Sequence, residues 1–493
     1  MTETRLPTIR FRARGDVRPD GEYVLYWMVA ARRTRWNFAL ERAVELAADL
    51  DRPLVVLEPL RCGYRWASDR FHRFVLQGMA DNRAALAERG VTYHPYVEPE
   101  AGAGKGLVAA LAERACAVIT DDYPCFFLPR MLRSAVKALP GRLEAVDGNG
   151  LLPMRAADRV FPTAHSLRRF LQKELPAHLP HVPAADPLDG VTLPGPDELP
   201  AEVLERWPAA DDALLAATPE ALAALPIDHS VGAAPDDGGQ EAGHRQLVQF
   251  LEQRLARYGE RNQPEADSAS GLSPWLHFGH VSVHEVLDGV ASRESWTPDR
   301  VTAGGQGARA GWWHMSEEAE GFLDELVTWR ELGFNMCSRN PDYDKYESLP
   351  DWARATLEEH AGDPRDPCYD LETFENAATH DELWNAAQNQ LRGEGRIHNY
   401  LRMLWAKKVL HWSASPQEAL AILVELNNKY ALDGRDPNSY SGIFWCFGRY
   451  DRAWGPERPI FGKVRYMTSE NTARKIRVKD YVARWNEPSL FAS

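Results

Sequence analysis

Tyr23-Val24-Leu25-Tyr26-Trp27-Met28-Val29 is an unbroken apolar run of strand length. From Trp36 to Leu50 the apolar residues recur at helical spacing, and Pro53-Leu54-Val55-Val56-Leu57 is a second strand-length run. The alternation continues along the chain. Helical spacing marks residues 71–89, 106–114 and 128–138, and strand-length runs fall at 92–97, 117–120 and 144–146. Strands and helices alternating in this way predict an α/β domain with a parallel, Rossmann-like sheet. Its ligand edge is expected beyond the C-terminal ends of the strands. No GxGxxG follows the first strand. Gly102-Ala103-Gly104-Lys105-Gly106 is glycine-rich but lacks the spacing and the GK[ST] ending of a phosphate loop, so it reads as a plain loop into a helix.

Beyond residue 243 the pattern changes. Gln246–Tyr258, Phe322–Cys337, Leu383–Leu391, Asn399–Trp412 and Pro416–Lys429 carry apolar residues at i, i+3 and i+4, and strand-like windows are scarce. An all-α domain is expected there. Between the two halves, residues 183–242 hold nine prolines and 13 acidic residues against one basic residue, Arg206. This composition predicts a connector with short helices near Pro200–Trp207 and Pro219–Leu225. The expected organisation is an α/β domain over 20–165, an acidic connector over 166–242 and a helical domain over 243–485.

That segment also carries most of the chain's net charge of −14, so the remainder is nearly neutral and a nucleic-acid partner stays open. No apolar run reaches the length of a membrane span, the N-terminal stretch has no apolar signal region, and the six cysteines form no CxxC pair. A cytoplasmic protein without a disulfide framework is expected. Sixteen tryptophans are unusually many, and twelve lie from Trp275 onward, which directs attention to the helical half.

Four stretches there carry chemistry, each with a plainer explanation beside it. In Ser270-Gly271-Leu272-Ser273-Pro274-Trp275, Ser273 before proline predicts a capped helix start, which suits a phosphate but equally an ordinary helix. His277 and His280 lie three apart, yet no cysteine or carboxylate completes a metal set, so no metal is expected. Glu325 and Trp329 fall at i, i+4, where a carboxyl and an indole can hold a planar heterocycle; an amphipathic helix with a solvated glutamate accounts for the same letters. Trp405 and Trp412 stand two turns apart on nearly one face, as a path for an electron or as core. Residues 463–484 hold seven basic residues, among them Lys475 and Arg477, with Tyr466 and Tyr481 interleaved. They make either a nucleic-acid backbone tract or a solvated face.

Taken in order, SGLSPWLHFG, ELVTWREL, THDELWNAAQ, GRIHNYLRMLWAKKVLHW, NNKYALDGRDPN and ERPIFGKVRYM resemble the class II DNA photolyases of the photolyase/cryptochrome family over most of the chain. YWMVAARRTRWNFAL resembles that family's first strand and helix. The resemblance implies light-driven repair of cyclobutane pyrimidine dimers (CPDs) in UV-damaged DNA by a deoxyribodipyrimidine photolyase, a lyase and flavoprotein acting as a monomer. It places FAD, active as the fully reduced anion, in the helical domain. A deazaflavin or folate antenna chromophore in the α/β domain is left open.

Carried over residue by residue, the resemblance assigns Tyr258, Ser270, Gly271, Leu272 and Ser273 to the FAD-phosphate loop. Arg402 and Asp433 fall beside the isoalloxazine, with Asn399 and Asn427 as polar neighbours. Trp384, Trp405 and Trp412 become the tryptophan chain that photoreduces FAD. Glu325, Trp329 and Trp445 become the lesion pocket. His280 stands where the family's wording leads one to expect glutamine, and the acidic connector is longer than expected. The alternative is a cryptochrome-like blue-light sensor without repair activity. Retention of Glu325, Trp329 and Trp445 favours repair, as does the short tail after Arg484. An ordinary flavin oxidoreductase would need a nicotinamide site, for which no motif is present.

Overall fold

The computed structural model of the protein describes residues 6–195 and 199–486. Met1–Arg5, in the Arg-rich N-terminal stretch, 196–198, in the acidic segment, and the seven residues from 487 onward lie outside them. Two compact units account for the chain, and they interleave. One comprises Met1–Asp158, Leu171–Gln249 and Gly271–Ala303; the other comprises Arg159–Phe170, Phe250–Ser270 and Gly304–Ser493.

The first unit is built on a six-stranded sheet of order β1-β6-β5-β2-β3-β4. The strands are β1 (Phe11–Arg14), β2 (Tyr23–Trp27), β3 (Leu54–Leu60), β4 (Thr92–Val97), β5 (Ala115–Asp121) and β6 (Arg142–Val146). All neighbours are parallel except β1, which runs antiparallel to β6. The expected α/β fold is therefore present, with one strand that the apolar pattern does not reveal. Phe-Arg-Ala-Arg has a largely exposed surface because β1 is an edge, so it never needed an apolar run.

β2 explains why its stretch is apolar throughout. Val24, Tyr26 and Met28 enter one core with α1 (Phe38–Leu50), while Tyr23, Leu25 and Trp27 enter the other with α3 (Leu107–Ala112). Alternate side chains of a strand point to opposite faces, and here both faces are covered. α1 begins at Phe38, two residues later than its apolar spacing, because Asn37 accepts hydrogen bonds from the N–H groups of Ala39 and Leu40. α2 (Asp69–Ala87) and α4 (Leu128–Ala138) complete the α/β alternation.

The acidic segment contains the two short helices that its composition predicts, Ala201–Arg206 and Pro219–Ala223, and a third at Asp212–Leu215. Leu199, Val203 and Trp207 join the core behind β2, and Leu215, Leu222 and Leu225 pack with Val75 and Met79 of α2. Apolar positions thus face the unit while Asp211, Asp212 and Glu220 face solvent. The glycine-rich loop is closed to phosphate. Glu98 Oε1 accepts from the N–H groups of Gly102 (3.0 Å) and Gly104 (3.2 Å), where an anion would otherwise bind.

The second unit is helical. Glu382–Glu394, Asn399–Trp412 and Pro416–Tyr430 follow the apolar spacing closely, and Pro437–Trp445 is a further helix that the spacing did not mark. Gly333 lets the helix Arg330–Arg339 approach Pro437–Trp445; a Cβ there would lie 2.8 Å from the backbone of Pro437. Two expected continuous helices are interrupted. Gln246–Tyr258 divides into the end of a helix at Gln249, a π turn at Phe250–Arg254 and a 3-10 stretch at Leu255–Glu260. Phe322–Cys337 is broken by a π turn over Asp324–Trp329. Such turns are rare and concentrate at functional sites. Among the described residues no helix is long and apolar enough to cross a membrane.

Candidate active site

The helix Asn399–Trp412 is the frame of the candidate site. Trp405 is 1% exposed and its Nε1 donates to Gln388 Oε1 at 2.9 Å. Trp384, from the neighbouring helix Glu382–Glu394, lies against it: the rings are 6.5 Å apart and 10° from parallel. Trp384 Nε1 donates to the Trp405 carbonyl at 3.0 Å, which locks the stack. Trp412 meets the other side of Trp384 edge-on at 6.3 Å. The two-turn step read from Trp405 to Trp412 is therefore bridged by an indole from another helix. Beyond Trp412 come His380, 4.9 Å away, and Tyr369, 5.9 Å away, whose hydroxyl is paired with His380 Nδ1 at 2.9 Å. Tyr369 is half-buried and brings the aromatic series toward solvent. Neither residue was singled out by sequence spacing.

Toward the other end, Arg402 precedes Trp405 by three residues. Its two terminal nitrogens donate to Asp433 at 3.3 and 3.1 Å, in the forked geometry that matches a carboxylate. Asn399 is exposed at the start of the same helix. Asn427 is buried, and its amide nitrogen donates to Ser439 Oγ at 2.6 Å and Asn428 Oδ1 at 3.3 Å, within the packing of neighbouring helices.

Tyr258 is buried edge-on against Phe250 and Phe322. Close by, the Arg254 guanidinium reaches the Ala269 carbonyl at 3.4 Å. Arg254 Nε and Ser268 Oγ are buried without a hydrogen-bond partner. A buried guanidinium N–H and a hydroxyl without acceptors are costly unless an anion or polar group meets them. Ser270 closes this segment, while Gly271, with φ of +69°, Leu272 and Ser273 belong to the sheet-containing unit. The capped start expected at Ser273 is not found. The five-residue helix Ser273–His277 already includes Ser273, its cap position is Leu272, and no side chain caps it. Pro274 sets the local φ but a proline at the second position needs no serine before it.

His280, the residue that stands in place of an expected glutamine, is part of the core of the sheet-containing unit. It is 1% exposed, its Nδ1 accepts from the Gly239 N–H at 2.9 Å, and its ring lies on Phe74. Burial lowers its pKa to about 3, so it is a neutral core residue. Gly78 makes its room; a Cβ there would sit 2.4 Å from His280 Nε2.

A second aromatic group is half-exposed. Glu325 is the second residue of the π turn and Trp329 its last, both partly accessible, while Leu326, Val327 and Thr328 between them are buried. The turn is held by Asp324, which takes two hydrogen bonds from Arg168 at 2.8 and 2.9 Å. Arg261 lies 3.3 Å from Glu325 Oε1. Trp445 is half-buried, with the Arg465 guanidinium 5.1 Å from its ring; Arg465 also lies 4.2 Å from Trp454. Each such contact contributes about 0.5–1 kcal/mol when exposed. Beneath Trp445, Lys407 is fully buried, donates to the Cys446 carbonyl at 2.5 Å and lies 5.6 Å from the indole. Burial lowers its pKa to about 8. Lys407 and Trp454 escaped the sequence reading because a lysine in an apolar helix and a tryptophan in a loop carry no spacing signal. Lys475 and Arg477 are exposed near the end of the chain, the latter with its N–H on Gln263 Oε1 at 3.1 Å.

No family model matches the chain. A deoxyribodipyrimidine photo-lyase of Methanothermobacter thermautotrophicus is 34% identical over 479 residues, which is 96% of this chain and 97% of that protein. The chain belongs to the deoxyribodipyrimidine photo-lyase family. Members from Potorous tridactylus and Oryza sativa are each 34% identical, over 93% and 95% of this chain and 80% and 88% of their own. The chain is thus a member of an enzyme family of lyases, as the resemblance in its motifs implied. A bacterial class III photolyase from Agrobacterium tumefaciens shares the fold, with a TM-score of 0.66 over 94% of this chain and 86% of that one, at 17% identity.

Proposed function

We propose that this chain is a class II photolyase that splits cyclobutane pyrimidine dimers in DNA with light. The observation that carries the reading is the Trp405–Trp384–Trp412 series, which starts one helical turn from the Arg402–Asp433 pair and ends at half-exposed Tyr369. FAD, when bound in reduced form, supplies the light-excited electron donor. The unpartnered Ser268 Oγ and Arg254 Nε fit its anionic phosphates, beside Tyr258 and Ser270. Arg402, with Asp433 to orient it, offers a cation for a negatively charged ring, and Asn399 lies on the same helix. Trp405, Trp384 and Trp412 carry an electron inward from the surface, with Tyr369 as the outermost ring.

The lesion reaches the other tryptophans. A dimer is poorly stacked, so flipping it out of the duplex costs less than flipping sound bases. Trp329 and Trp445 offer faces for its two rings, and Glu325 offers a hydrogen bond to the carbonyl edge where negative charge develops. Lys475 and Arg477 are assigned to DNA phosphates. The protein acts as a monomer in the cytoplasm. An antenna pigment, deazaflavin or folate, is assigned to the ring cluster Tyr64, Trp66, Phe126 and Phe127. That cluster follows the C-terminal ends of β3 and β5, where ligands of such sheets bind.

The test is incubation of FAD-loaded protein with an oligonucleotide carrying one thymine dimer, under blue light and in the dark. Dimers should disappear only in the light. Dimers that persist in the light while FAD is photoreduced would overturn the repair reading in favour of a light sensor.

A further inference from the structure

Glu325 is held by a partner that conflicts with its proposed work. A carboxyl can donate a hydrogen bond to a pyrimidine carbonyl only when it is protonated. In this structure Arg261 lies 3.3 Å from Glu325 Oε1, a contact that favours the ionised, acceptor-only form. The Arg261 side chain has other contacts to keep. Its guanidinium stacks on the Tyr258 ring at 4.7 Å and reaches the Tyr258 carbonyl at 3.5 Å, while its own carbonyl is bonded to His398 Nε2 at 2.9 Å. The main chain is therefore pinned while the guanidinium can leave Glu325 and stay on Tyr258.

We propose that Arg261 is a positioning residue that governs the proton on Glu325: seating a dimer draws the guanidinium off the carboxyl, and Glu325 takes up one proton from solvent. The step forms one O–H bond on a Glu325 carboxyl oxygen and consumes one buffer proton, with no electron moved. This inference rests on the repair reading, since it concerns the same pocket.

The charges facing Glu325 support it. Arg261 and, farther away, Arg309 favour the carboxylate; neighbouring Asp324 disfavours it but is itself paired with Arg168. Tyr258, which also faces it, has its hydroxyl pushed up by burial and stays neutral. Burial is the largest influence on Glu325 and raises its pKa, with Arg261 opposing. The side chain nevertheless keeps 37% of its surface, open to an incoming base. A stacked base that covers this opening and displaces Arg261 removes both solvent and the main counter-charge, and each change favours the protonated acid.

The experiment is calorimetric titration of the FAD-loaded full chain, in the dark, with a thymine-dimer oligonucleotide in two buffers of different ionisation enthalpy. The heat difference counts protons. About one proton should be taken up per dimer bound near neutral pH, and none with the undamaged oligonucleotide. Glu325→Gln should bind the dimer with no uptake. Arg261→Gln should lower the uptake, because Glu325 is already more protonated before binding, while Arg261→Lys should restore it. No uptake by the unaltered chain, equal uptake in Glu325→Gln, or the same count in Arg261→Gln and Arg261→Lys would overturn the inference. Each of those results, obtained with a chain that still repairs dimers in light, leaves the repair reading standing. Failure of the repair reading itself is seen separately, as no dimer loss under light.

Discussion

The helical unit holds two sets of tryptophans, and their surroundings differ in nearly every respect. Trp384, Trp405 and Trp412 are at most 2% exposed, and the first two have their indole N–H groups bonded. Trp329 and Trp445 are half-buried, and Trp445 carries the Arg465 guanidinium over its ring. The contrast reaches into a single helix. Lys407 and Lys408 are consecutive in Asn399–Trp412 and point to different sets, Lys407 to Trp445 at 5.6 Å and Lys408 to Trp412 at 4.9 Å. Successive helical residues are about 100° apart, so one helix can serve both. Lys408 has Asp381 at 3.7 Å, whereas Lys407 has a carbonyl. The proposed division of work rests on this difference in environment: enclosed, fixed rings for electron passage and accessible rings for a stacked base.

The largest effect that can break this contrast is expected at Trp384. Trp384→Phe should all but abolish photoreduction of oxidised FAD, read by absorbance, because Trp384 touches both Trp405 and Trp412. Folding should survive, since phenylalanine keeps most of the packing and the lost N–H bond costs about 1 kcal/mol. Undiminished photoreduction would reduce the series to core.

Lys407 sharpens the comparison next. Its pKa is about 8 in the folded chain against an ordinary value near 10.5. Between those pH values the unfolded chain binds more protons, so this group makes stability rise with pH across that window. The full contribution is on the order of 3 kcal/mol. Lys407→Met should flatten the rise, measured by denaturant unfolding at pH 8 and pH 10. The same slope in both chains would show that the lysine is not held against its charge.

Trp445→Ala should weaken binding of dimer-containing DNA by about 1–3 kcal/mol and leave photoreduction intact. Unchanged affinity would remove Trp445 from the pocket. The smallest effect is expected at the end of the chain. Neutralising Lys475 and Arg477 should reduce the slope of log affinity against log salt by about 0.9 for each that meets a phosphate. An unchanged slope would assign the DNA face elsewhere.

How much of this was legible varies with the physics. Asn399–Trp412 matches its apolar window to the residue because a buried helix shows its period. The sheet was legible because β2 is covered on both faces, and β1 was not because an edge needs no apolar run. The π turn at Asp324–Trp329 hides inside a continuous helical period, and Glu325 and Trp329 are accessible positions in it beside buried Leu326, Val327 and Thr328. Spacing along one helix paired Trp405 with Trp412, while the ring between them comes from another helix. Arg254, Ser268 and Arg261 gave no signal, since their meaning lies in an absent or a conflicting partner that only three-dimensional packing exposes.

The central claim is that the two tryptophan sets do separate work, and one paired measurement tests it most directly. Trp405→Phe and Trp445→Ala chains, each loaded with chemically reduced FAD, are given thymine-dimer DNA at subsaturating concentration under blue light, and dimer loss per absorbed photon is measured. Trp405→Phe should repair as the unaltered chain does, because its cofactor no longer needs the electron path. Trp445→Ala should repair less, with the deficit closing as DNA is raised to saturation. Equal loss of repair in both chains at saturating DNA would contradict the separation.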